Sequence, residues 1–257
     1  MENLGRLIDI CKRAGDAIME VYAEKYEVEM KTDFSPLTVA DRLSHTIIAR
    51  HLADEFPHIP IISEEGQDVP YVVRKGWKKF WLVDPLDGTK EFINKNGEFT
   101  INIALIEEHY PSFGMIYVPV MDTIYYGYPG EAVKIDSRGR KESLRVNRNK
   151  DSKITLVESR THPSFELLEF KKKIESKYHG IDAIEKGSSL KFCTIAEGQA
   201  DIYPRFGPTM EWDTAAGQAI LESAGGYVLD LEGGRFSYNK ESLVNGPFIA
   251  ANFKEEF

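Results

Sequence analysis

The chain has 257 residues, of which 42% are hydrophobic and 28% are charged. This composition is typical of a globular protein, and the length suffices for one large domain or two small ones. A formal net charge of −9 argues against a broad nucleic-acid surface or an anionic membrane as partner, because both would repel an acidic protein. A local basic pocket for a small anion remains open.

The cysteines and the N-terminus bear on the compartment. Cys11 and Cys193 are far apart and show neither metal-type nor redox-type spacing, which suits a reducing compartment. No apolar run approaches the roughly 18–20 residues of a membrane span. Charged residues at positions 2, 6 and 9 are unlike a signal peptide. We therefore expect a cytoplasmic protein without an integral membrane segment, and peripheral association with the inner membrane stays open.

Two amphipathic helices are predicted near the N-terminus. Apolar residues recur every three or four positions over residues 3–24 and again over residues 40–55. Thr38 and Asp41 flank the start of the second helix with the spacing of a capping box, although Glu or Gln is more usual at the second position. Capping is therefore a structural explanation for Asp41 that competes with a functional one.

A buried strand predicted over residues 80–83 delivers two acids to its end. The strand is expected to stop at Asp84, because the next residue is proline, which has no N–H to donate in a central strand. Asp87 follows three positions later. Gly88 then allows close approach of the backbone to a ligand, and Thr89 lies at a predicted helix start. An ordinary turn is the alternative, since Asp, Pro and Gly are common turn residues.

The second half contains two motifs that suit anions. Residues 187–191 (Gly-Ser-Ser-Leu-Lys) place Ser188 and Lys191 at the head of a predicted helix, where donors can meet a phosphate. The alternative is an ordinary serine N-cap with Lys191 in solvent. Arg205 follows a predicted strand and can clamp a second phosphate through its planar guanidinium. The other elements predicted after residue 98 are strands at 99–106, 113–118, 120–128, 154–157, 200–204, 227–231 and 247–251 and helices at 164–178 and 190–198.

Two further polar residues have simple structural explanations. His162 stands alone in a loop, and such a histidine is more often a surface residue than a functional one. Asp213 lies in the first turn of a predicted helix that ends at Gly225, so an N-cap role is favoured when this acid is considered alone. The sequence leaves open whether Met210 and Glu211 alter a nearby pocket.

The acids Glu64, Asp84, Asp87 and Asp213 share one feature, because each falls at the end of a predicted strand or the start of a predicted helix. Ligand sites in open α/β sheets gather at such ends, so we expect these carboxylates to converge. Converging carboxylates repel one another and protonate unless a cation is present. Oxygen ligands without His or Cys favour Mg²⁺ over Zn²⁺, and Mg²⁺ commonly shares its shell with substrate phosphate. The predicted chemistry is phosphoryl transfer to water.

The motifs at residues 64–65, 84–89 and 212–217 resemble those of the inositol monophosphatase superfamily of Mg²⁺-dependent, lithium-sensitive phosphatases. Several further stretches resemble its 3′(2′),5′-bisphosphate nucleotidase branch, the CysQ type, and the similarity covers nearly the whole chain. These stretches are residues 35–41, 89–93, 96–100, 187–193 and 203–209.

The resemblance implies an α/β fold, the αβαβα sandwich of the inositol monophosphatase or sugar-phosphatase type, with the site between two parts. The polar segment 136–152 predicts the linker between them. The N-terminal α+β part, residues 1–135, would carry most metal ligands. The C-terminal α/β part, residues 136–257, would carry the nucleotide-binding residues and the last metal ligand.

The resemblance also implies residue roles. The groups that would bind two or three Mg²⁺ ions are the side chains of Glu64, Asp84, Asp87 and Asp213 and the carbonyl of Leu86. The residues that would act on the attacking water are Asp41 and Thr89, and Glu64 is counted with them as catalytic. The residues that would contact substrate are Glu64, Leu86, Asp87, Gly88, Thr89, Ser188, Lys191, Arg205 and Asp213, with His162 near the base.

The implied activity is hydrolysis of adenosine 3′,5′-bisphosphate to AMP and phosphate, which recycles a by-product of sulfate assimilation. One alternative is an inositol monophosphatase or another sugar phosphatase of the same fold, which would not need Lys191 and Arg205 for a second phosphate. An alternative of another class is a non-catalytic module that senses metal and nucleotide. Loss of a metal acid or of Thr89 would favour this module, and the chain retains all of them. The oligomeric state is not predicted.

Overall fold

The computed structural model describes residues 3–24, 28–30, 36–148, 153–160 and 164–254. Within these ranges the helices are α1 (Leu4–Ala23), α2 (Val39–Glu55), α3 (Tyr71–Arg74), α4 (Thr89–Ile93), α5 (Phe165–Lys177), α6 (Leu190–Ala196) and α7 (Glu211–Ser223). None of these helices is long and apolar enough to cross a membrane.

The strands divide between an early and a late set. The early strands are β1 (Val28–Met30), β2 (Pro36–Thr38), β3 (Ile61–Ser63), β4 (Lys79–Asp87), β5 (Thr100–Glu107), β6 (Tyr110–Val118), β7 (Thr123–Tyr128), β8 (Glu131–Ile135) and β9 (Lys141–Ser143). The late strands are β10 (Ile154–Glu158), β11 (Ile181–Glu185), β12 (Ile202–Arg205), β13 (Thr209–Met210), β14 (Tyr227–Asp230), β15 (Val244–Asn245) and β16 (Phe248–Ala251).

The larger sheet has seven strands in the order β3-β4-β5-β6-β7-β8-β9. Only β3 and β4 are parallel, and every later pair of neighbours is antiparallel. Because side chains alternate between the two faces of a strand, β4 places Trp81 and Val83 on one face and Phe80 and Leu82 on the other. The first face packs against α1 and α2, and the second packs against α6 and α7.

The smaller sheet has five strands in the order β11-β10-β12-β16-β14. Phe170 and Ile174 of α5 cover its outer face. Its inner face packs on α6, where the rings of Phe192 and Tyr203 meet edge to face with centroids 5.4 Å apart. Helices α6 and α7 thus lie between the two sheets, and α1/α2 and α5 form the outer layers. The predicted αβαβα sandwich is confirmed.

Strand β4 does not stop where the sequence predicted. It runs through Pro85 to Asp87, and its pairing with β5 shifts register between Asp84 and Asp87. A bulge of this kind leaves backbone groups outside the ladder, so a proline can be accommodated. On the other side, β3 pairs with β4 only as far as Val83. The expectation that the strand ends at Asp84 was therefore wrong. The bulge changes the direction of the strand before Asp87.

The predicted linker, residues 136–152, is structured in part. Its residues 141–143 form β9 at the edge of the larger sheet. All three are exposed, so they carry no apolar alternation from which a strand could be predicted. The larger sheet thus continues to Ser143, and the division of the chain at residue 135 stays a prediction.

Helix α7 approaches the larger sheet closely, because glycines face it from β6 and β7. A Cβ atom added to Gly114 would lie 2.8 Å from the Cα of Ala216. A Cβ added to Gly127 would lie 2.6 Å from the Cα of Ile220. Real Cβ atoms essentially never come so near backbone, so the depth at which α7 sits depends on these two glycines.

Candidate active site

The four predicted acids come from three elements that meet at one edge of the larger sheet. Glu64 follows β3, and its backbone N–H donates to the carbonyl of Val83 on β4 over 3.1 Å. This bond holds the Glu64 turn beside Asp84. Asp213 lies in the first turn of α7 and accepts the N–H of Met210 at 2.7 Å.

The pKa shifts of two of these acids indicate that the carboxylates lie close together. Burial raises the pKa of Asp84 well above its usual value, and the carboxylates of Glu64, Asp87 and Asp213 add to this rise. Burial and the nearby Asp87 also raise the pKa of Asp213, to about 8. Within the described residues, Asp84, Asp87 and Asp213 form no ion pair with a lysine or arginine. These three acids therefore concentrate negative charge that no lysine or arginine of the described ranges pairs with.

The donor set fits a hard divalent cation. All of its side chains are carboxylates, and neither His nor Cys lies among them, which favours Mg²⁺ over Zn²⁺. No group of three His, Cys, Asp or Glu side chains in the described residues is already arranged to hold an ion. The carboxylates are turned instead to hydrogen bonds with the chain, such as that from the Leu86 N–H to Asp84 at 3.0 Å. Coordination would replace or redirect some of these bonds.

Asp41 takes part in the predicted capping box and also contacts a predicted catalytic residue. Its Oδ2 accepts the N–H of Thr38 at 2.7 Å, and the Thr38 hydroxyl accepts the N–H of Ala40, which completes the predicted capping box. Its Oδ1 accepts the hydroxyl of Thr89 at 3.2 Å. The same hydroxyl lies 3.5 Å from the carbonyl of Leu86. One buried carboxylate therefore fixes the start of α2 and reaches the predicted site.

Gly88 occupies the backbone conformation that the sequence predicted for a close approach. Its φ is +90°, in the left-handed region that favours glycine, and it immediately precedes α4. A Cβ at this position would lie 3.3 Å from the Cβ of Ser188 and 3.3 Å from the carbonyl oxygen of Glu98. The turn after β4 and the loop before α6 are therefore direct neighbours.

For residues 187–191, the structure contradicts both parts of the alternative explanation, an ordinary serine N-cap and a Lys191 side chain in solvent. Lys191 is only 6% exposed, so it does not lie in solvent. Its Nζ donates to the carbonyl of Ser188 at 2.7 Å, and burial lowers its pKa to about 8. Ser189 makes no side-chain cap for α6, and its hydroxyl lies within hydrogen-bond distance of Asp87 and of the Asp213 carbonyl.

The other predicted substrate residues are held by their own surroundings. The Ser188 hydroxyl donates to Asp87 at 2.6 Å. The guanidinium of Arg205 donates to the carbonyls of Gly207 and Pro208, each over 3.1 Å. Contact of Ser188, Lys191 and Arg205 with a substrate stays a prediction. His162 lies outside the described residues.

The position that the sequence left open, Glu211, faces away from the acids. It is fully buried and accepts the backbone N–H groups of Asn239 and Lys240. The Lys240 ammonium completes an ion pair at 2.6 Å. Glu211 therefore holds the 239–240 loop and does not add to the acid cluster.

Comparison with known proteins gives the family. Residues 3–256 match the model of the inositol monophosphatase family. The chain belongs to this family. The 3′(2′),5′-bisphosphate nucleotidase CysQ of Salmonella typhimurium is 47% identical over 95% of this chain and 98% of its own length. The protein of that name from Escherichia coli strain K12 is 46% identical over the same shares.

Solved structures of family members agree with the fold. CysQ from Bacteroides thetaiotaomicron, a bacterial member of the inositol monophosphatase family, superimposes with a TM-score of 0.85 at 41% identity, over 96% of both chains. An IMPase from Thermotoga maritima reaches a TM-score of 0.79 at 24% identity, over 98% of this chain and 92% of its own, and shows the fold alone. The resemblance predicted from the motifs is confirmed, and the chain is an enzyme of the phosphatase class.

Sequence reasoning missed polar residues that line this family member's acid cluster. Thr100 and Asn102 on β5 are buried, and both belong to a hydrogen-bond network that reaches Asp87. The sequence did contain a signal for them. They lie on the same face of β5 as Ala104 and Ile106, which are apolar, so two polar residues stand on a face that is otherwise buried and apolar. Buried polar residues in such a place need partners.

Proposed function

We propose that the chain is a Mg²⁺-dependent phosphatase that removes the 3′-phosphate of adenosine 3′,5′-bisphosphate, giving AMP and phosphate. The observation that carries the proposal is the group of Asp84, which is buried, with Asp87 and Asp213, which are half-buried, beside the buried Lys191. In the described part of the chain, none of these three acids pairs with a lysine or arginine, and Lys191 pairs with no acid. Relatives 46–47% identical over 95% of the chain carry the name 3′(2′),5′-bisphosphate nucleotidase, which supports this substrate. We place the activity in the cytoplasm, where it would recycle a by-product of sulfate assimilation.

The metal would bind at the acid cluster. The groups that would hold two or three Mg²⁺ ions are the side chains of Glu64, Asp84, Asp87 and Asp213 and the carbonyl of Leu86. When bound, Mg²⁺ neutralises phosphate charge and lowers the pKa of a coordinated water. The raised pKa values of Asp84 and Asp213 support this assignment, because buried acids that repel one another favour a dication in their midst.

Asp41 and Thr89 would prepare the attacking water. The Thr89 hydroxyl donates to Asp41, so its lone pairs can accept a hydrogen bond from water. As the water oxygen attacks phosphorus, its proton would pass to the Thr89 oxygen and the Thr89 proton to Asp41. The P–O3′ bond would break at the same time, and the 3′ oxygen would leave with a proton from solvent. The Thr38 contacts fix Asp41 and so keep this relay oriented.

The substrate would lie across the turn after β4 and the loop before α6. The backbone N–H groups of Gly88 and Thr89 would hold the scissile phosphate. Ser188, Lys191 and Arg205 would receive the nucleotide and its 5′-phosphate. Lys191 is suited to this role because its ammonium is buried against the carbonyl oxygens of Lys186 and Ser188 and forms no ion pair with the acids of the described segments.

The test compares two substrates in two variants. Phosphate release with Mg²⁺ is measured from adenosine 3′,5′-bisphosphate and from inositol 1-phosphate, with the wild type and with Lys191→Ala. We expect preference for the nucleotide, and a rise in its KM of about 10- to 100-fold in the variant, since one charged hydrogen bond is worth about 1.5–3 kcal/mol.

Lys134→Ala is the control, because Lys134 is a partly buried lysine that pairs with Glu197 and not with the predicted site residues. Its substrate preference should equal that of the wild type. Preference for inositol 1-phosphate that Lys191→Ala leaves untouched would overturn the nucleotide assignment and favour a sugar phosphatase. Metal and nucleotide binding without release of phosphate from either compound would favour the sensing module.

A further inference from the structure

Two buried polar residues on β5 lie directly opposite the predicted metal-binding acids on β4. Asn102 pairs in register with Asp84, and Thr100 pairs with Asp87 on the far side of the bulge. Thr100 is fully buried and Asn102 is 1% exposed. Burying a hydroxyl and an amide costs free energy unless each is hydrogen-bonded. The hydrogen-bond partners of the two side chains therefore indicate their role.

Their partners lie at the acid cluster and in the loop before α6. The Asn102 amide nitrogen donates to Ser189 Oγ at 2.9 Å and lies 3.3 Å from Asp87 Oδ2. The Thr100 hydroxyl lies 2.9 Å from Asn102 Oδ1 and 2.6 Å from the Ser188 hydroxyl, and it donates its single proton to one of these two oxygens at a time. The pair therefore connects the larger sheet to the loop from the C-terminal part.

Asn102 and the two serines of the loop converge on one oxygen of Asp87. Its Oδ2 accepts the Ser188 hydroxyl, the Ser189 N–H and the Ser189 hydroxyl at 2.6–2.9 Å, in addition to the Asn102 amide. Four donors on one oxygen restrict the orientation of the carboxylate. An acid held by one oxygen presents the other in a defined direction.

The loop residue that donates to Asp87 has an unfavourable backbone conformation. Ser188 has φ +51°, in the left-handed region that non-glycine residues rarely adopt. Such a residue costs on the order of 1–2 kcal/mol and persists only where its surroundings hold it. The short contact with Thr100 is one of the interactions that hold it.

We infer that Thr100 and Asn102 are positioning residues, which orient the Asp87 carboxylate for a metal ion and fix the 187–189 loop against it. The inference rests on the proposed function, since it assigns Asp87 to Mg²⁺. Neither residue touches the reacting atoms, and both act through Asp87 and the two serines. Their loss weakens metal binding even without substrate, because the carboxylate must then be ordered when the ion binds.

The deciding experiment compares Thr100→Val with Thr100→Ser. Valine keeps the volume of threonine and loses the hydroxyl, whereas serine keeps the hydroxyl and loses a methyl group. Mn²⁺ affinity is measured without substrate, by calorimetry or electron spin resonance, along with the melting temperature. We expect Thr100→Val to bind about 10- to 100-fold more weakly, the usual loss for a partner of a metal ligand, and Thr100→Ser to stay near the wild type.

A packing role predicts the reverse order, with Thr100→Val retaining affinity and Thr100→Ser losing it along with stability. That result would overturn the inference. Thr123→Val and Thr123→Ser are matched controls, because Thr123 is buried on β7 of the same sheet and its hydroxyl donates to the Met121 carbonyl. Neither control should change Mn²⁺ affinity.

Asn102→Ala gives an independent measurement and should also weaken Mn²⁺ binding about 10- to 100-fold. Asn252→Ala is its control, since Asn252 is a buried amide that donates to the Asn147 carbonyl and Asp201, both away from the site. Because Thr100 and Asn102 belong to one network, the double variant Thr100→Val/Asn102→Ala should lose less than the sum of the single losses.

The outcomes separate the inference from the proposed function. A wild-type protein that binds no divalent cation would overturn the proposed function. A wild type that binds Mn²⁺, with Thr100→Val and Asn102→Ala binding equally well, would overturn only the positioning role.

Discussion

Two buried carboxylates, Glu211 at the start of α7 and Asp84 on β4, differ in how their charge is compensated. Glu211 is fully buried, and it meets two backbone N–H groups and the ammonium of Lys240. Asp84 is as deeply buried, and its strongest neighbouring charges are other carboxylates. The first arrangement is complete within the chain. In our proposal a cation from outside would complete the second, so burial alone does not mark a functional acid.

The difference also shows what each acid contributes. A buried ion pair stabilises its surroundings when both partners are present, and removing one partner is costly. A buried cluster of like charges destabilises the fold until a ligand binds. Substitutions in the two regions should therefore move activity and stability in opposite ways.

The largest expected effect is on turnover in Asp84→Asn. Removing one metal-binding charge withdraws several kcal/mol of transition-state stabilisation, so kcat should fall by about a thousandfold. The melting temperature without metal should stay equal or rise, because asparagine can still accept the Leu86 N–H and no longer repels its neighbours. Steady-state kinetics and calorimetry check both statements. Wild-type turnover in this variant would refute the metal assignment.

The next effect is stabilisation of the wild type by Mg²⁺. An ion that binds only the folded state at a hundred times its Kd adds about 2.7 kcal/mol to the free energy of unfolding. Thermal melts over a Mg²⁺ titration measure this gain. We expect Asp84→Asn to lose most of it and Glu211→Gln to keep it. Equal gains in all three proteins would show that the ion binds elsewhere.

Glu211→Gln should affect stability and spare turnover. The substitution removes the charge opposite Lys240, whose side chain is 32% exposed, so water compensates part of the loss. We expect the free energy of unfolding to fall by about 2 kcal/mol, with kcat per folded molecule retained. Urea unfolding and kinetics provide the measurement. A stable variant that has lost turnover would place Glu211 in the active site.

The smallest effect is a pH dependence that comes from Lys191. Burial lowers its folded-state pKa to about 8 from an ordinary value of 10.5, so between these values the unfolded chain binds more protons. Stability without ligand should therefore rise with pH in this window, by at most about 1.4 kcal/mol from pH 8 to 9. The difference between wild type and Lys191→Met isolates this contribution. A difference that falls with rising pH would contradict the shift.

The sequence predicted the layers of the fold well because periodic apolar residues report burial directly. Helix α1, the β6–β7 hairpin and α5 follow from that pattern. Strand β9 could not be predicted, since its residues are all exposed and it is defined by hydrogen bonds to β8 alone. The passage of β4 through Pro85 was also missed, because a bulge depends on the partner strand and not on local preference.

For the candidate site, residue types and element ends predicted which acids would converge, and the pKa shifts of Asp84 and Asp213 agree with that convergence. The directions of the side chains could not be predicted from the sequence. The pattern Gly-Ser-Ser-Leu-Lys indicates donors, yet it does not say that Ser188 and Ser189 turn to Asp87 or that Lys191 is buried. Such choices depend on contacts between residues about a hundred positions apart.

The two glycines that face α7 also limit which substitutions the chain can tolerate. Gly114 and Gly127 lie on strands far from the acids in the chain, yet they set the depth of the helix whose first turn carries Asp213. A single added methyl group would lift that helix and displace the carboxylate. In a saturation mutagenesis screen for activity, we expect these two positions to be as intolerant as the acids themselves. Tolerance of alanine at both would show that the helix can shift without harm.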